Sequence, residues 1–127
     1  MTHTEKYQLG LLYLVHLLIS ADGVVDNTEK KALKRVKEKE NISDLILNEF
    51  EKRIASKKER DIYHDGIALI NRCTDEEKIK AFVHLYKMSE VDGRVHVKEV
   101  RLLLYSIKLA GIEFNDVVAR AAQVKAY

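Results

Sequence analysis

Four carboxylates, Asp22 and Glu29 in one segment and Asp92 and Glu99 in another, have the spacing of a cation site written twice. The segments read Asp22-Gly23-Val24-Val25-Asp26-Asn27-Thr28-Glu29 and Asp92-Gly93-Arg94-Val95-His96-Val97-Lys98-Glu99, both of the form DGxVxxxE. An offset of 70 residues carries Asp22 onto Asp92, Gly23 onto Gly93, Val25 onto Val95, Glu29 onto Glu99 and Leu33 onto Leu103. In each copy an apolar helical run enters the turn and a charged helical run leaves it, so the repeat is a duplicated helix-turn-helix hairpin.

The chemistry follows from where the two acids fall. The Asp closes one helix, the Gly takes positive φ at no steric cost, and the Glu lies in the first turn of the next helix. Both carboxylates of a repeat can then face one small space, with carbonyls of the first helix end as further oxygen ligands. Two hairpins packed face to face would bring all four together. Like charges about 5 Å apart repel by roughly 3 kcal/mol at an effective dielectric near 20. A divalent cation (magnesium, calcium, manganese or zinc), a basic neighbour or a raised pKa would relieve that repulsion. The same residues also work without an ion: Asp22 accepts from the turn amides, Val25 packs as a staple and Glu29 completes a helix cap.

An EF-hand is excluded by the residues just before each turn. Asp22, Gly23, Val25 and Glu29 fit places five, six, eight and twelve of such a loop, but places one and three hold Leu18 and Ser20, or Met88 and Glu90, and Leu and Met do not ligate calcium. Asp26 and Glu90 are possible acidic neighbours of the site. His96 stands where the first copy has Asp26, and with Glu99 three residues on it forms a mixed set better suited to zinc or manganese than to calcium. A solvated histidine at a helix start is the plainer reading.

Helical periodicity supplies the elements that would position these groups. Seven helices are expected. The first spans about Thr4 to Ala21 and is so apolar, through Leu9, Leu12, Tyr13, Val15, Leu17 and Leu18, that it should be central. The second runs from Asn27 to Glu40, with Asp26 and Glu29 as a capping box. Ser43 caps a third, with Leu45, Ile46, Phe50 and Ile54 inward. A fourth follows Lys57-Lys58, carrying Ile62, Ile67, Leu69 and Ile70. Thr74 and Glu77 form a capping box for the fifth, which holds Ile79, Phe82, Val83, Leu85, Tyr86 and Met88. The sixth, Val97 to Ala110, holds Val100, Leu103, Leu104 and Ile107 and stops at Gly111. Asn115 or Asp116 caps a short seventh. No linker composition separates the hairpins, so residues 1–127 read as one all-α domain, a compact bundle of about seven helices.

Composition agrees. The 127 residues contain no Pro and five Gly, are 46% hydrophobic and 33% charged, and carry a formal net charge of +2. That balance gives no long-range field toward nucleic acid or a membrane. The basic helix of Lys30, Lys31, Lys34, Arg35, Lys37 and Lys39 is interleaved with Glu29, Glu38 and Glu40, the pattern of a solvated face rather than a phosphate track. Leu9 to Ser20, the most apolar stretch, is shorter than the roughly 20 residues of a spanning helix, and no signal peptide precedes it. One cysteine, Cys73, fits a reducing cytoplasm. His16 and His84 lie on apolar helices outside the repeated feature and read as partly buried core histidines. No nucleophile elbow, Cys-x-x-Cys, His-Glu-x-x-His or phosphate-loop pattern occurs, so no enzymatic activity is expected.

The repeated Asp-Gly-x-Val turns with Glu29 and Glu99, in an all-helical chain of this length, resemble the TerB family of tellurite-resistance-associated proteins, whose fold is similar to the N-terminal domain of DjlA co-chaperones. The resemblance covers nearly the whole chain. It implies a cytoplasmic, non-enzymatic domain of bacterial stress responses, with a protein partner and a cation site at Asp22, Glu29, Asp92 and Glu99. The alternative is an interaction domain whose acidic turns only cap helices. No His-Pro-Asp tripeptide is present, so no co-chaperone activity is implied.

Overall fold

Burial on every side of one helix organises the molecule. In the computed structural model, helix α1 (His3–Ile19) has Leu9, Leu11, Leu12, Tyr13, Leu14, Val15, Leu17 and Leu18 all in the core. It is the central helix the sequence calls for. Around it lie α2 (Asn27–Lys39), α3 (Asp44–Ala55), α4 (Glu59–Asn71), α5 (Asp75–Val91), α6 (Val97–Leu109) and α7 (Phe114–Ala121). The structure describes residues 2–19, 27–91 and 97–123, without the side chains of residues 19, 27–30, 32, 89–91, 97–100, 102 and 103. Among the described residues there are seven helices and no strand, and no helix is long and apolar enough to cross a membrane.

Helix α1 packs against α2, α3, α4, α5 and α6, most closely against α4, while α5 carries α6 and α7. Two glycines allow the α1–α4 approach. A Cβ on Gly10 would lie 3.0 Å from Leu69 Cβ, and one on Gly66 would lie 3.1 Å from Tyr13 Cβ. Each helix thus offers the other a position with no side chain, and neither neighbouring Cβ is free to swing aside.

Local capping chemistry sets several boundaries. Ser43 Oγ accepts from Ile46 N at 3.3 Å. Thr74 and Glu77 exchange bonds, Thr74 N to Glu77 Oε1 at 3.0 Å and Glu77 N to Thr74 Oγ1 at 3.2 Å. Gly111 takes φ 71 as its helix stops. Two expectations are corrected. Glu113, not Asn115 or Asp116, occupies the N-cap of α7, and it makes no side-chain cap bond. Leu45 is 79% exposed, so it does not point inward. Periodicity assigns a residue to a helix face, but whether a neighbouring helix covers that part of the face is decided by the tertiary arrangement.

Candidate functional site

Of the residues chosen from the sequence, Glu29 lies in α2, Glu90 in α5 and Glu99 in α6. Asp22, Gly23, Asp26, Asp92, Gly93 and His96 lie outside the described residues, as do the side chains of Glu29, Glu90 and Glu99. The convergence of the four carboxylates therefore falls outside what the structure describes. What it does describe is the helices on either side of both turns, and several of their features recur under the 70-residue offset.

Helices α1 and α5 each have 17 residues, and α2 and α6 each have 13. The bounds of α2, 27–39, become those of α6, 97–109, under the 70-residue offset, and the start of α3 at residue 44 becomes the start of α7 at 114. Both charged helices end in the same way. Asn41 (φ 52) and Gly111 (φ 71) take the left-handed conformation, and Ile42 N donates to Lys37 O at 2.9 Å as Ile112 N does to Ile107 O at 3.2 Å. These are equivalent helix-stop motifs, one built on Asn and one on Gly.

A side-chain bond repeats as well. Gln8 Nε2 on α1 donates to the carbonyl of Glu40 at 3.1 Å. Seventy residues on, Lys78 Nζ on α5 donates to the carbonyl of Ala110 at 3.2 Å. In each half the helix that enters the turn thus holds the far end of the helix that leaves it. Orphan carbonyls at a helix end need such donors, and the bond fixes the angle between the two limbs flanking each turn.

A buried charged group that sequence reasoning missed lies at the end of α2. The Glu40 side chain is only 5% exposed. His84 Nε2–H donates to Glu40 Oε1 at 2.6 Å, and Lys80 Nζ lies 3.1 Å from Oε2. Burial raises the Glu40 carboxyl, but the His84 hydrogen bond and charge, then those of Lys80, outweigh it and hold the pKa below the ordinary carboxylate range. The group lines a pocket of about 400 Å³ with Lys39, Glu76, Val83 and Arg120, in which Arg120 pairs with Glu76. A histidine oriented by a carboxylate can move a proton. Lys80 shares the carboxylate with His84. Together these contacts clasp the end of α2 to α5. Its signal in the sequence was a histidine on the inner face of an apolar helix, with no local pattern to name a partner 44 residues away.

Apolar side chains also reach the surface along α6 and at the start of α7. Leu104, Tyr105, Leu109 and Phe114 are 42%, 58%, 45% and 38% exposed, and Tyr105 stacks on Tyr63 with ring centroids 6.3 Å apart. Comparison with known proteins found no match among family models, curated proteins or solved structures.

Proposed function

We propose that this chain is a single, non-enzymatic TerB-like domain of a bacterial stress system. In this reading its two DGxVxxxE turns hold a divalent cation through Asp22, Glu29, Asp92 and Glu99. The observations that carry the reading are the equal lengths of α1 and α5 and of α2 and α6, the matched helix stops and the Gln8 and Lys78 bonds to the carbonyls of Glu40 and Ala110. A duplicated sequence motif on duplicated limbs is the arrangement in which two turns serve one purpose. The exposed apolar residues of α6 and α7 support a protein partner, since Tyr105 and Leu109, four apart, share a helix face open to solvent.

The oxygen-rich ligand set suits magnesium, calcium or manganese. A thermal melt of chelator-stripped protein should therefore show a saturable rise with one of these ions. Ligand at about 100 times its dissociation constant adds roughly 2.7 kcal/mol. The rise should vanish in the Glu29→Gln, Glu99→Gln double variant. If none of the three ions moves the melt, the turns are caps and the cation role is rejected.

A further inference from the structure

The geometry points to a second metal site, for a zinc-class ion, formed by His3, Cys73 and Glu77 and distinct from the acidic turns. His3 opens α1, Cys73 lies in the turn between α4 and α5, and Glu77 is in the first turn of α5. One ligand atom from each lies within 4.8 Å of the other two. An imidazole, a thiol and a carboxylate, brought together from residues up to 74 apart in sequence, are the donors that tetrahedral zinc takes. Thiolate and imidazole discriminate against magnesium and calcium, so this set differs in kind from the all-oxygen turns.

The distances permit closure around an ion. Zinc bonds of about 2.0–2.3 Å place tetrahedral donors about 3.3–3.6 Å apart. His3 Nε2 now lies 2.8 Å from Glu77 Oε1 and 3.1 Å from Oε2, so this edge must open by about half an ångström while the longest edge closes by about one. His3 can open the edge it shares with Glu77, because its side chain is 57% exposed at the start of a helix. Solvent at the same edge supplies the fourth ligand.

The carboxylate already has the outer support that metal ligands need. Glu77 Oε1 accepts from Thr74 N at 3.0 Å and from Thr74 Oγ1 at 3.1 Å, which fixes the group and leaves Oε2 bonded to His3 alone among the described contacts. Cys73 Sγ is in contact with the Leu69 carbonyl at 3.4 Å. An ion here would tie the beginning of the central helix to the α4–α5 junction.

A cobalt(II) titration of the chelator-stripped full chain tests this assignment. Saturation at one thiolate-bound cobalt per chain, with a thiolate-to-metal charge-transfer absorption that zinc displaces, is the expected result. Cys73 is the one cysteine in the sequence, so that absorption reports this site alone. It should persist in the Glu29→Gln, Glu99→Gln variant, which separates it from the turns. The exposed His3→Ala change, which leaves the core intact, should weaken cobalt binding by more than about tenfold, the loss typical even of an outer-shell partner. Absence of the absorption from folded protein, or an unchanged affinity in His3→Ala, would overturn the site.

Discussion

His84→Leu should destabilise the protein by about 3 kcal/mol, and adding Glu40→Ala should restore most of the loss. The Glu40 carboxylate is 5% exposed and the His84 side chain 11%, so the single change leaves a buried charge with one partner, Lys80. Breaking a buried pair from one side costs about 3–5 kcal/mol, and the remaining lysine, itself 58% exposed, places the loss at the lower end. That is on the order of 10 °C in melting temperature for a chain of this size. Replacing both partners removes the charge instead of orphaning it. At the offset positions the chain carries apolar residues, Ala110 and Leu14, both buried. A double-mutant cycle by chemical denaturation measures the coupling. Additive losses would mean that Glu40 and His84 act independently.

Acid should reveal the same pair. The folded pKa of Glu40 lies below its ordinary value of 4.5, so the group contributes stability that is complete above that value and is lost as pH falls through the folded pKa. Wild-type stability should therefore drop as pH is taken below 4.5, and the drop should be shallower in Glu40→Ala/His84→Leu. Equal slopes in denaturation midpoints would show that other carboxylates govern the acid limb. His84 and Lys80 face the carboxyl from α5, while the Gln8 amide on α1 holds the backbone carbonyl of the same residue.

Which of these features could be read from the chain depends on how local their causes are. The Ser43 cap, the Thr74–Glu77 box and the Gly111 stop are each decided within a few residues, and each was legible. Asn41 was not, because a left-handed Asn has no compositional mark as plain as glycine's. Its alignment with Gly111 under the 70-residue offset would have pointed to it. Leu45 and Leu104 belong to faces that periodicity marks as apolar, but coverage of those faces depends on helices far away in sequence. The Glu40–His84 and His3–Glu77 contacts span 44 and 74 residues and leave no local trace. The acidic turns were the most legible chemistry of all. The helices on either side of them share lengths and stop motifs, while the four carboxylates themselves lie outside the described residues.

Phe50→Ala should cost about 3–5 kcal/mol, whereas Arg120→Ala, at the equivalent position of the second half, should cost about 1 kcal/mol or less. Phe50 is fully buried on α3, with its ring 5.9 Å from Tyr13 and 6.0 Å edge-on from His16, both on α1. Removing the ring leaves a cavity against a helix that is also held close to α4 by the glycine contacts, so little collapse can fill it. Arg120 instead pairs with Glu76 at the surface, where side chains 35% and 70% exposed keep most of their hydration. Helix α7 is held by Val117 and Ala121, the buried residues of an eight-residue helix. The helices α3 and α7 are thus anchored by different physics, α3 by an aromatic in the core and α7 by small apolar residues, a Phe114–Tyr86 ring contact and an exposed ion pair. Denaturant midpoints of the two variants measure the contrast. A Phe50→Ala loss near 1 kcal/mol would mean that α3 re-seats on Ile46 and that the first half does not depend on this ring.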